Sequence, residues 1–149
     1  MPATMTPTGR RLCVVIGVLA LAGIAVSAVS LKDHYSRDKT SYCELGENFD
    51  CDIVNRSSYS SIAGVPVAGI GILGYAALGF LAMFYRDKDN MPTYLFVAAL
   101  GGLAFALYLT YVEKYILATW CILCLSSLGL IAMITILSSL VLAQSRQQA

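Results

Sequence analysis

Charged residues are missing from four long stretches of the chain and gathered between them. The stretches run from Leu12 to Leu31, Ser57 to Tyr85, Asn90 to Val112 and Tyr115 to Ser145. Each reaches the about 20 residues a helix needs to cross the hydrocarbon core of a bilayer. Peptide groups in hydrocarbon find partners only within the protein, so each stretch predicts a transmembrane α-helix. The second is longer than a span requires. It opens with Ser57-Ser58-Tyr59-Ser60-Ser61 and Gly64-Val65-Pro66, which are uncharged yet polar. Pro66 disfavours helix immediately upstream. This part predicts a short helix or turn at the interface before the second span. The expected fold is all-α: a four-transmembrane-helix bundle with an outer loop and a short interfacial helix between helices 1 and 2. It forms a single membrane domain over residues 1–149.

The remaining segments are short. Met1 to Gly9 reads as a disordered tail. Lys32 to about Arg56 is an outer loop with six of the nine acidic residues, Asp33, Asp38, Glu44, Glu47, Asp50 and Asp52. Arg86-Asp87-Lys88-Asp89-Asn90 makes a tight inner turn, and Pro92 suits the first turn of the third helix. Glu113-Lys114 reads as a very short outer turn, and Gln144 to Ala149 as a polar inner tail. Four spans put both termini on one side. Arg10-Arg11 and the small residues Ser27 to Ser30 imitate a signal peptide. The first apolar run, however, exceeds the about 7–15 residues of a signal sequence, so it is expected to stay as an anchor.

Composition agrees with a membrane class. The 149 residues are 58% hydrophobic and 13% charged, where soluble domains carry about one quarter charged residues. A net charge of +1 gives no case for nucleic acid. The single His34, expected in a solvated loop, excludes a His-rich metal site. Lys and Arg divide five and five between the two faces, so their count does not orient the chain. Arg10 and Arg11 beside the first helix favour a cytoplasmic N-terminus. Cysteine chemistry agrees, because that topology puts the paired cysteines at the outer face, where disulfides persist.

Cysteines carry the candidate chemistry. Cys121-Ile122-Leu123-Cys124 stands at the start of the last span. Residues i and i+3 of a helix share a face with Cβ atoms about 5–6 Å apart, so a modest adjustment closes a disulfide. The positive helix end activates such thiols. Trp120 fits an interfacial anchor. A structural disulfide, a metal pair or two buried apolar thiols are the plainer alternatives. Cys43 and Cys51 flank a seven-residue polar stretch whose spacing fits no common zinc pattern. By itself this pair reads as a loop clamp; beside a second dithiol at the same face it reads as a shuttle. Cys13 is expected to be an apolar filler. Ser57 to Ser61 offer hydroxyls for a carbonyl-bearing ligand, or Ser60 and Ser61 cap a helix. Two rival functions use fewer of these features: a soft-metal membrane transporter with the cysteine pairs as ligands, and a structural tetraspan protein braced by its loop disulfide.

Together these residues resemble the vitamin K epoxide reductase family, in its bacterial branch. The likeness rests on Cys43 and Cys51 with seven residues between them, Ser57 six residues on, and Gly64-Val65-Pro66 leading to Gly71-Ile72-Leu73-Gly74-Tyr75. Cys121-Ile122-Leu123-Cys124 completes it. It implies a four-helix bundle around a quinone of the ubiquinone, menaquinone or phylloquinone type. It further implies that Cys124 faces the quinone, Cys121 is its partner, and Cys51 exchanges with Cys121. Cys43 would accept electrons from a thioredoxin-like protein, and Ser57 would hydrogen-bond the quinone carbonyl. Such an enzyme, in a bacterial inner membrane with its cysteines at the periplasmic face, promotes disulfide formation outside the cytoplasm. A fused thioredoxin domain, common in bacterial members, is not present in these 149 residues, so the partner is expected in trans. Animal members carry an asparagine where this chain has Val67, and a tyrosine where it has Leu128. Those differences speak against epoxide reduction of the animal type.

Overall fold

The computed structural model describes residues 5–36, 46–47, 49–85 and 87–148, without the side chains of Cys51, Asp52 and Asn55. Among the described residues, five α-helices and one small hairpin make the fold. Helix α1 spans Pro7–Tyr35, α2 Cys51–Arg56, α3 Val67–Phe84, α4 Met91–Val112 and α5 Ile122–Gln148. All but α2 are long and apolar enough to cross a membrane, α4 together with the turn Glu113–Leu117 that extends it.

The spans differ from the hydropathy pattern at their ends. Thr6 accepts the Gly9 amide at 3.1 Å and Pro7 takes the first helical position, so α1 starts inside the expected tail. It continues through His34 to Tyr35, because the polar residues of its last turns remain compatible with helix. Tyr115, expected to open the fourth span, instead belongs to the extension of α4. Ahead of α3 lie the short α2, a 3₁₀ turn over Ser58–Ser60 and a hairpin pairing Ser61 with Pro66 and Ile62 with Val65. Ala63 and Gly64 form its two-residue loop with φ of 53° and 83°, the positive pair a tight type I′ turn demands. No capping bond from Ser60 or Ser61 starts α3; its cap position is Pro66, without a side-chain hydrogen bond.

Helix α1 packs on α3 and α5, α5 also packs on α4, and a smaller α3–α4 contact closes the ring. Small residues set the spacing, as expected where lipid leaves no hydrophobic drive between helices. Large apolar side chains such as Leu21, Leu73, Phe84 and Ile136 point outward. A Cβ at Gly71 would lie 2.8 Å from Ser27 Oγ. A few polar bonds tie the helices together. The Tyr75 hydroxyl lies 2.8 Å from Ser127 Oγ and donates to the Ser127 carbonyl at 2.9 Å. Thr135 Oγ1 donates to the α4 carbonyl of Ala99 at 3.3 Å. Thr6 Oγ1 and Gln144 Oε1 are 3.4 Å apart, so both ends of the chain meet at one end of the bundle. Cys13 is fully buried there among apolar neighbours, as an apolar filler should be. The short α2, the hairpin and the cysteine motif occupy the other end.

Gly23 faces the ring of Tyr75, where an added Cβ would come within 2.4 Å. The ring cannot swing away, because its hydroxyl is held by Ser127. Gly23→Ala should therefore destabilise the bundle by about 1–3 kcal/mol, more than the about 1 kcal/mol alanine gains as a helix former. Thermal unfolding in detergent micelles reads the sign.

Candidate functional site

The site is built where the chain passes from α4 to α5. Beyond Val112 the helix widens into a π turn, Glu113–Leu117, a form common at functional sites. Ala118 then adopts a left-handed conformation (φ 51°, ψ 31°), and the Thr119 amide closes on the Glu113 carbonyl at 3.1 Å. The reversal carries Cys121 back onto the turn it has just left. Its amide donates to Glu113 Oε2 at 3.3 Å. Its carbonyl accepts the first bond of α5, from the Leu125 amide at 3.0 Å. Cys121 thus holds the N-cap of α5, and Cys124 lies three residues in.

At an N-cap a side-chain oxygen normally receives the unpaired amides of the first turn. Here a sulfur does so. The two sulfurs of the motif are not joined by a disulfide here. The Cys124 thiol donates to the Cys121 sulfur, and this bond, helped by the amides of Cys124 and Leu123, draws the Cys121 thiol below its ordinary range. Burial and the Glu113 carboxylate pull the other way, yet the hydrogen bonds win. The motif stands at a helix start, as the sequence predicts, and the first cysteine is the one whose thiol is lowered.

Cys121 is fully buried, whereas Cys124 opens on a cavity of about 120 Å³ lined by all four long helices. Its walls are mostly apolar, with Val67 and Gly71 from α3 and Phe105 from α4. Polar groups converge from Ser57, His34 and Glu113. Ser57 stands at the end of α2, its hydroxyl donating to the Val54 carbonyl at 2.8 Å. His34 is not in a solvated loop: it lines the cavity from the last turn of α1, its Nδ1 3.4 Å from Ser60 Oγ. Ser60 in turn donates to the Ser57 carbonyl at 2.7 Å.

The outer loop reaches this site by its backbone. Phe49 pairs in parallel with Trp120, and the Asp50 amide donates to the Trp120 carbonyl at 3.1 Å. Asp50 then caps α2 by accepting the Ile53 amide at 3.3 Å. Cys51 is the first residue of α2, and Val54, one turn on, packs against Cys121. Cys43 lies outside the described residues.

Glu113 is the site residue that sequence reasoning assigns to an exposed turn. It is 1% exposed, and its Oε1 has no hydrogen-bond partner among the described residues. The signal available in sequence is that it is the only acidic residue after Asp89, placed at the end of an otherwise uncharged span. Ionisable groups at membrane depth are costly and mark function.

Cys124→Ala removes the donor that holds the Cys121 thiolate. Modification of Cys121 by a small thiol reagent at neutral pH should slow several-fold, followed by peptide mass mapping. Equal or faster modification would mean that the hydrogen bond does not set the acidity of Cys121.

The family model of the vitamin K epoxide reductase family matches residues 14–139. No curated protein matches the chain.

Proposed function

The chain belongs to the vitamin K epoxide reductase family, and on that premise we propose that it passes electrons from a thioredoxin-like protein, through two cysteine pairs, to a membrane quinone. Family and fold make it an integral, multi-pass membrane oxidoreductase acting on thiols. The observation that carries the finer reading is the division of the Cys121–Cys124 motif. Cys121 packs against the short helix that Cys51 opens, while Cys124 lines the cavity.

The steps balance as thiol–disulfide exchanges. A thiolate of the partner attacks Cys43 of the Cys43–Cys51 disulfide. The partner's second thiol completes its own disulfide and leaves both loop cysteines reduced. Cys51 attacks Cys121, forming Cys51–Cys121 and releasing Cys124 as a thiol. Cys43 then attacks Cys51, which restores the loop disulfide and frees Cys121. The reduced Cys121–Cys124 pair re-forms its disulfide by giving two electrons and two protons to the acceptor.

The cavity suits a quinone ring. It is mostly apolar, lined by helices, and edged by the Cys124 thiol and the Ser57 hydroxyl. A quinone bound there supplies the two-electron, two-proton acceptor. Ser57 binds and orients it through its hydroxyl. Turning that hydroxyl away from Val54 leaves no orphan, because the Ser57 amide still donates to the same carbonyl at 3.3 Å. With Arg10 and Arg11 at the opposite, cytoplasmic end, the cysteines face the periplasmic side of a bacterial inner membrane. The thioredoxin-like partner meets them there.

Trapping tests the relay. In Cys124→Ser the lone Cys121 thiolate can attack Cys51 of the oxidised loop, so an internal Cys51–Cys121 disulfide should accumulate with Cys43 released as a thiol. In Cys51→Ser the lone Cys43 thiolate can attack the disulfide of the oxidised thioredoxin-like partner, so a Cys43–partner adduct should accumulate, with no second loop cysteine to displace the partner. Non-reducing peptide maps that join Cys43 to Cys121 instead would reverse the loop roles.

The ring contact has its own measurement. Ser57→Ala should slow quinone reduction by one to two decades, the worth of about 1.5–3 kcal/mol for a hydrogen bond to developing charge. Unchanged kinetics in a folded variant would confine Ser57 to holding the end of α2.

A further inference from the structure

We infer that Glu113 is the proton carrier of the site, taking the proton that leaves the Cys124 thiol and passing it to the reduced acceptor in the same cavity. The inference rests on the quinone reading above and adds a residue to it. Three observations support the assignment. The carboxyl group is buried, yet one of its two oxygens accounts for its structural role: Oε2 holds the Cys121 amide. Oε1, also buried, has no partner among the described residues, an arrangement costly enough to need a purpose. Finally, the group lines the cavity beside Cys124, and its charge acts on both thiols.

The chemistry requires such a group. Two thiols lose two protons when they close their disulfide, and the acceptor gains two when it takes the electrons. This exchange happens in a mostly apolar cavity between helices, where few groups can hold a proton. Titratable groups lining the cavity are His34 from α1, Tyr59 from the 3₁₀ turn, Glu113 and Cys124. The α3 wall contributes none. From α2, Arg56 turns outward to the Ser36 carbonyl. Next along the chain, the Lys114 ammonium lies over the Tyr115 ring. His34 is engaged with Ser60. Glu113 is the titratable group whose carboxyl reaches the cysteine motif itself. Glu113 carries one of the two protons: the carboxylate receives it as the Cys124 thiolate forms and releases it to the acceptor oxygen as the disulfide closes, while the second proton gained by the acceptor equals the one the Cys121 thiol gives up. No net charge stays behind in the membrane.

A carboxylate that carries protons and one that merely caps a helix behave differently on substitution. Glu113→Gln keeps an oxygen for the Cys121 amide and loses the titration. It also removes a negative charge next to both thiols. The variant's cysteines, in quinone-free reduced protein, should therefore react with a small alkylating reagent as fast as the parent's or faster. Its reduction of a short-chain quinone should nevertheless fall by about a hundredfold, within the range of general acid–base catalysis. In the parent the rate should fall as pH drops through the Glu113 titration, and Glu113→Gln should lose that acidic limb. Glu113→Asp should restore both the limb and much of the rate.

Quinone reduction at the parental rate in Glu113→Gln overturns the assignment alone. Equal losses of alkylation and quinone reduction would make Glu113 a structural cap, as would a folded Glu113→Asp without the limb. A parent protein that exchanges with an external dithiol but leaves the quinone unreduced overturns the quinone reading and this assignment with it.

Discussion

A peptide group in hydrocarbon has no water to turn to, and the way the chain meets that constraint between Val112 and Ile122 shapes the rest of the site. Here the helix must stop, reverse and start again close to the membrane. The Glu113 side chain receives the amide at the start of the next helix, and the Glu113 backbone carbonyl receives that of Thr119. One residue therefore closes the end of α4 and supports the beginning of α5. The cost is a left-handed alanine at position 118, of order 1–2 kcal/mol for a residue bearing a Cβ. What results is a cysteine fixed at a helix N-cap and a second one facing the cavity.

The rest of the bundle keeps that geometry rigid by polar clasps and close backbones. Tyr75 reaches across to Ser127, one turn beyond Cys124. Gly23 leaves room for its ring, and Gly71 does the same for Ser27. Large side chains turned to lipid contribute little to this packing. They make the protein insoluble outside a membrane, while small residues inside fix the distances between helices.

Much of the fold is legible in the sequence because bilayer thickness is a one-dimensional rule. Leu12 to Leu31 marks α1 without any knowledge of its neighbours. The ends are less legible, since hydropathy does not see capping: Thr6 and Pro7 lengthen α1 upstream, and Tyr115 is captured by the turn that extends α4. The cysteine motif is legible too, through the spacing of Cys121 and Cys124 at the start of a span. Which sulfur faces the cavity depends on the reversal at Ala118, which no local pattern announces. Glu113 looks like a solvated turn residue because Lys114 follows it. Its burial is a tertiary event. His34 and Ser60 are 26 residues apart and meet only when α1 continues past its apolar stretch.

The backbone pairing of Phe49 with Trp120 has a kinetic meaning. It anchors one end of the polar loop two residues before Cys51 and one residue before Cys121. In the proposed relay, a Cys51 nucleophile tethered so closely to its target would not need to find it by diffusion. The encounter would then be first-order, with an effective molarity set by a two-residue leash instead of by how much protein the membrane holds. On that reading exchange within the molecule would outrun exchange between molecules, and neighbouring copies in a crowded bilayer would be kept from cross-linking.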